Sequence, residues 1–244
     1  MFDVLKKLLG GAKEPAPEKP PREVRFPFEH LIVPGADAVA RCEELAKRPR
    51  TTPIIMGPPE ELRLILDVVN DDPTPAAEIL EESREVDIAK WMKENEREQP
   101  DHYTVPPGKW PTDDDIAPIE PSLHLDLTTN QPWPEVVIGL LPTANAWEAP
   151  AHLDLGGWND SPLPEVHVAL HRRWHEQYGA AITGISDDIV QCSVERPPAT
   201  REAAMTLARE HFHYCPDLIH QGMEDLEHLA ATLMKSRAWY FWWD

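Results

Sequence analysis

Cysteine is scarce in this 244-residue chain: Cys42, Cys192 and Cys215 are an odd number, set far apart, with no Cys-x-x-Cys pair. A disulfide scaffold is not expected from that spacing, which fits free thiols in a reducing cytoplasm. Long apolar runs are missing too. Nothing approaches the ~20 apolar residues of a membrane span, and Met1 to Gly11 holds too few apolar residues for a secretory signal. Basic charge is in deficit, with 23 Lys and Arg against 43 Asp and Glu and a net charge of −20. That field would repel a phosphate backbone, so direct nucleic-acid binding is not expected and basic partners are favoured. The chain also lacks Gly-x-Gly-x-x-Gly, a phosphate loop and a Gly-x-Ser-x-Gly elbow, so nucleotide and serine-hydrolase readings lose their usual support.

What the chain does have is a run of five aromatics, Trp239 to Trp243, at its end. Aromatics form strands and each buries a large apolar area, so Ala238 to Trp243 is expected as a strand buried on both faces that completes a sheet. Apolar residues make up 41% of the sequence, enough for a real core at this length. The acidity is spread widely. Residues 23–132 carry 11 basic and 24 acidic side chains and 133–244 carry 7 and 16, while residues 1–22 are net positive with five against three.

The pattern along the chain divides into four parts. Residues 1–22 read as a short amphipathic helix (Phe2, Val4, Leu5, Leu8, Leu9) stopped by Gly10-Gly11, followed by a Pro-rich tether. The helix is a candidate for weak membrane-surface or partner contact. Residues 23–98 read as an N-terminal α/β subdomain: a helix from Asp37 to Lys47, a strand from Thr52 to Gly57, a helix opening at Pro58 and running through Val69, and one or two surface helices from Ala76 to Glu98. Residues 99–132 are a Pro-rich crossing segment with the triplet Asp113-Asp114-Asp115, in which Leu123, Leu125 and Leu127 alternate as a strand face. Residues 133–244 form a C-terminal α/β domain. It is expected to hold a strand over Val136 to Leu141, a helix over Leu163 to Tyr178, a hairpin around Ser186-Asp187-Asp188, a helix capped by Thr200, a helix over Glu224 to Lys235, and the aromatic strand. The fold class is α/β, a mixed β-sheet flanked by helices.

The combination of Gly156-Gly157-Trp158-Asn159, Trp174 with Tyr178-Gly179-Ala180, Arg196-Pro197-Pro198, Tyr214-Cys215-Pro216-Asp217, Gln221-Gly222 and the closing Trp239 to Asp244 resembles an uncharacterised bacterial family, domain of unknown function 4253. The resemblance covers the C-terminal part of the chain and implies a bacterial, intracellular α/β domain with no assigned chemistry. Ser161-Pro162 is a departure, because members of the family tend to have Cys before that proline; no thiol role carries over to this position.

Three sets of residues are candidates for chemistry or binding. His167, His171 and His175 recur every four residues on one helix face, and adjacent pairs have the spacing that chelates zinc. The stretch His-Arg-Arg-Trp-His lacks the Glu that serves as base in metalloprotease helices. A metal there would need a further ligand such as Asp154 or Glu176. The loop with Asp154, Trp158, Asn159 and Asp160 can line a small pocket, its two glycines permitting positive φ. His211, His213, Cys215 and Asp217 crowd a helix end, where the dipole raises a thiol pKa, so Cys215 is expected to be inert and Asp217 to cap the next segment.

The leading expectation is a non-catalytic intracellular acidic domain that binds a protein partner, a basic one by charge, in an immunity-like or regulatory role and without a cofactor. Its rival is a metal-dependent hydrolase, with zinc held by histidines of the helix at 163–178 and Glu176 or Asp154 as base.

Overall fold

The computed structural model describes residues 26–62, 73–105, 107–223 and 225–243. The expected N-terminal helix and tether, and most of the helix expected from Pro58 to Val69, lie outside these residues.

A mixed six-stranded sheet runs through the molecule. Its strands are β1 (Glu29–Val33), β2 (Thr52–Ile55), β5 (Val136–Leu141), β6 (Ala181–Ile185), β7 (Ile189–Ser193) and β8 (Ala238–Trp242), in the order β1-β5-β2-β6-β7-β8. All neighbours are antiparallel except β2 and β6, which run parallel and meet at a single register pair, Ile55 with Gly184. Two antiparallel triplets are thus joined at one parallel seam. A separate two-stranded ribbon, β3 (Leu125–Asp126) with β4 (Gln131–Pro132), stands apart.

The period-2 pattern of the strands sends alternate residues to opposite faces. One face presents Ile54, Val137, Ile182, Val190, Cys192 and Phe241. Over it lie α4 (Ala149–Leu153), α5 (Pro164–Tyr178), α6 (Arg201–Tyr214) and α7 (Leu226–Lys235). Outside these, α2 (Ala76–Glu82) packs Ile79 on Ala151 and Val168, and α3 (Ile88–Glu98) leans on α5 and α6. The second face carries α1 (Ala38–Leu45), with Ala38 and Leu45 on Ile55, Val136 and Ile138, and then residues 119–127 of the crossing segment.

Caps fall where the sequence places them. Thr200 Oγ accepts from Ala203 N at 3.2 Å, Asp225 Oδ1 from His228 N at 2.7 Å, and Gly179 ends α5 in the left-handed conformation at φ 63°.

Two expectations need correcting. The aromatic strand is not buried on both faces. Trp239, Phe241 and Trp243 are fully buried on the helical side, each contributing roughly 3 kcal/mol, while Tyr240 and Trp242 on the other side remain half-exposed. The physical reason is that β8 lies at the sheet edge, beyond the reach of α1. The strand expected over 123–127 shrinks to the two residues of β3, because Leu123 turns into the sheet while Leu127 is 66% exposed.

The crossing segment is held in place by buried side chains, Gln191 foremost. Gln191 Oε1, on β7, accepts from Ser122 N at 2.6 Å and Leu123 N at 3.2 Å, and its Nε2 donates to Thr183 Oγ at 3.3 Å. Ile119 N donates to Ser236 Oγ at 2.9 Å, and Lys235 pairs with Asp113 at 2.8 Å. Leu123 then sits directly over Gly184, where any Cβ would strike it. Replacing Gln191 by Leu leaves two backbone N–H groups without their acceptor, at about 1–3 kcal/mol each. The Q191L protein is expected to lose roughly 3 kcal/mol in chemical denaturation and to exchange the amides of Ser122 and Leu123 much faster than wild type; native-like protection of these amides would show that Gln191 does not anchor the segment.

Candidate functional site

The helix α5 presents His167 and His171 one turn apart to the same neighbour. Between them lies the hydroxyl of Tyr214, the last residue of α6, at 2.7 Å from His167 Nδ1 and 2.9 Å from His171 Nε2. The chain of contacts continues at both ends. His167 Nε2 meets Ser161 Oγ at 3.0 Å, and His171 Nδ1 meets the Cys192 thiol at 3.7 Å. All five side chains are buried.

A neutral imidazole has one donor and one acceptor nitrogen and a phenol donates once, so Tyr214 gives its proton to at most one of the two imidazoles, and the roles along the row follow the tautomers of His167 and His171. A hydrogen bond between His167 and the Pro162 carbonyl adds a backbone partner to the row. Burial pushes His167 down to about 3 and His171 well below the ordinary histidine value, so both stay neutral. Burial also pushes the Cys192 thiol and the Tyr214 hydroxyl up, so both keep their protons.

A second buried pairing lies alongside. The Glu210 carboxylate accepts from Trp174 Nε1 at 2.8 Å and from Arg173 Nε at 3.0 Å. His211 stands among Trp174, Trp239 and Phe241, with ring centroids 4.5–4.9 Å away, and its buried Nε2 has no hydrogen-bond partner among the described residues. Burial lowers its pKa to about 3.

The expected histidine triplet therefore divides. His167 and His171 close on Tyr214, whereas His175 is exposed and donates from Nδ1 to the Ala180 carbonyl at 3.0 Å. The point where two imidazoles would share a metal is filled by the phenol oxygen. Among the described residues no group of three or more His, Cys, Asp or Glu is arranged to hold a metal ion.

The loop from Asp154 to Asp160 concentrates positive φ: Asp154 (47°), Gly156 (121°), Gly157 (80°), Asn159 (42°) and Asp160 (59°). Gly156 lies against the buried row, and a Cβ there would collide with the Pro162 carbonyl and come within 2.8 Å of the His167 ring. Asp154 is buried and accepts from Thr74 N at 3.2 Å, Trp158 packs on the core, and Asn159 and Asp160 are exposed. The expected pocket residues thus face different ways.

The third set separates too. His211 points into the core. His213 stacks on Tyr103 with centroids 4.8 Å apart and meets Glu96 at 3.3 Å. Cys215 donates to the Trp242 carbonyl at 2.9 Å, with its pKa pushed up to about 12 by burial. Asp217 accepts from Gln221 at 3.0 Å. The structure does bring Asp160 to His102, at 3.9 Å, and His102 to Tyr103 and His220, so the loop and the end of α6 border a common polar surface.

Sequence reasoning missed Ser161, Cys192, Tyr214 and Glu210 as members of buried pairings. Cys192 carried a usable signal, since it alternates with Val190 and Val194 on the inward face of β7.

Fold and site together define a mixed α/β domain closed around a polar row in an aromatic core. Residues 137–244 match the sequence profile of the family described as Domain of unknown function (DUF4253). No curated protein and no solved structure matches the chain. The match begins inside β5, whose partners on both sides, β1 and β2, come from the residues before it.

Histidines held neutral give stability a definite pH dependence. Their folded values lie below the ordinary ~6.5, so the folded chain binds fewer protons than the unfolded one. The contribution is full above about pH 6.5 and is lost as pH falls towards 3, at roughly 1.4 kcal/mol per unit for each histidine. Phe in place of His211 fits the aromatic cage and removes one such proton. H211F is expected to change stability at pH 7.5 by less than about 1.5 kcal/mol and to flatten the slope between pH 6 and 4 by roughly 1.4 kcal/mol per unit, measured by urea denaturation. An unchanged slope would mean that His211 is protonated in the folded state. Y214F strands His167 and His171 together and is expected to cost about 3 kcal/mol, since each orphaned group costs roughly 1–3.

Proposed function

We propose that the chain is a non-catalytic, acidic protein-binding domain that works without a cofactor in the bacterial cytoplasm, in an immunity-like or regulatory role. One observation carries this reading: the imidazoles of His167 and His171, with Tyr214, Ser161 and Cys192, face inward and partner one another, while most of the described carboxylates face out. Both nitrogens of His167 and His171 are engaged within the core. The cysteines are free, and burial pushes the Cys42 and Cys215 thiols up to about 12, which removes them as nucleophiles near neutral pH. No helix among the described residues is long and apolar enough to cross a membrane.

The outer surface has the opposite character. Asp113, Asp114 and Asp115 form an exposed 3-10 turn, and α2 and α3 add further exposed carboxylates. With a net charge of −20, a basic partner gains in encounter rate and loses affinity with salt. The full-length chain used as bait in a bacterial lysate is expected to retain a basic protein at about 50 mM salt and to release most of it by about 300 mM. Recovery of no partner, or of one whose binding ignores ionic strength, overturns the reading.

A further inference from the structure

Two hollows open side by side on the second face of the sheet, along β8. One, of about 240 Å³, is walled by Glu61, Trp133, Ile189 and Tyr240. The other, of about 350 Å³, is walled by Ile119, Met223, Tyr240 and Trp242. Both include Ser122, Leu127 and Tyr240, so they form one continuous groove. Its origin is the alternation of β8, which turns Tyr240 and Trp242 away from the helices onto a part of the sheet that residues 119–127 cross without covering. Leu127, on the rim, is 66% exposed.

The two ends differ in charge. Glu61 in the first hollow feels Asp187, Asp188 and Glu60, and burial together with this crowding pushes it up to about 7. Asp126 lines the same hollow. Among the described residues, no Lys or Arg forms an ion pair with Glu61, Asp126, Asp187 or Asp188. The second hollow is lined mainly by apolar side chains, with Glu120 and Ser122 its polar members besides Tyr240.

We propose that this groove holds an extended segment of a basic protein partner, with an arginine side chain in the hollow at Glu61 and a large apolar side chain in the hollow between Met223 and Trp242. This rests on the protein-binding reading above and names the surface that performs it. The charge of the first hollow selects a cation, and its walls favour arginine over lysine: a guanidinium lies flat on the Trp133 or Tyr240 ring while its fork meets a carboxylate, which a compact ammonium does less well. The neighbouring apolar hollow adds burial of the following side chain, so charge and shape are read by adjoining surfaces.

The test uses the full chain and blocked octapeptides that carry one arginine and one leucine on a Gly-Ser chain, with matched lysine and citrulline versions and spermine as comparators, followed by calorimetry or NMR titration. Glu61→Gln and Leu127→Ser probe the two hollows, and Glu202→Gln, an exposed carboxylate on α6 on the opposite face of the sheet, makes the same charge change elsewhere. Thermal unfolding checks that each variant folds. The arginine peptide is expected to bind wild type at least about tenfold more tightly than its citrulline version, and E61Q and L127S are each expected to weaken it by about fivefold or more, with E202Q within twofold. Binding of the peptide that E61Q leaves unchanged overturns the groove while leaving the protein-binding reading standing. Preference for spermine over every peptide overturns it in favour of a small polycation. Failure of wild type to bind any of these cations overturns both the groove and the basic-partner reading.

Discussion

The hydroxyl of Tyr214 is the constraint on which the rest of the core depends. It is a single oxygen between two imidazoles of one helix, and it fixes how α6 docks on α5 to within the length of a hydrogen bond. The aromatic strand closes over this arrangement: Phe241 and Trp243 meet the Tyr214 ring edge-on at 4.7 and 5.2 Å, and Trp243 Nε1 donates to the Tyr214 carbonyl at 3.2 Å. Polar groups buried this deeply are tolerated only when every one is satisfied, which makes the row a specification of one packing rather than a large source of stability.

The same division between inside and outside governs electrostatics. Histidines and thiols in the core are held uncharged by desolvation, so the interior contributes little to the protein's field. The field comes from the shell of carboxylates, and it is strong because few basic side chains offset it. A molecule built this way presents a chemically quiet centre and an attractive exterior for cations, with the apolar groove beside β8 supplying the short-range contact that charge alone lacks.

Most of the C-terminal fold was legible in the sequence because its signals are local. Val136 to Leu141 is an unbroken apolar run, Thr200 caps α6, and Ser186-Asp187-Asp188 turns the β6–β7 hairpin, as the structure shows. The exposure of Tyr240 was not legible, because whether an aromatic strand is covered twice depends on its place in the sheet order, which no local pattern encodes. The histidine ladder illustrates the same limit. Spacing of four residues announces that His167 and His171 share a face, but it does not say what stands opposite them. The partner, Tyr214, lies 43 residues away in sequence from His171 and was visible only as the end of a helix. Gly156 is an intermediate case: its pairing with Gly157 signalled unusual backbone, while the reason, close approach of the loop to an imidazole, needed the tertiary contact.

The parallel seam has a consequence for the matched region of this chain. Everything on the β6 side of it lies within the matched region, but on the other side only β5 does, flanked by β1 and β2 from the preceding residues. A fragment trimmed to the match would expose bare hydrogen-bonding groups along both flanks of a wholly apolar strand, a template for fibrillar self-association. In this chain β1 and β2 supply the two partner strands that β5 requires, so the matched region depends on residues that precede it.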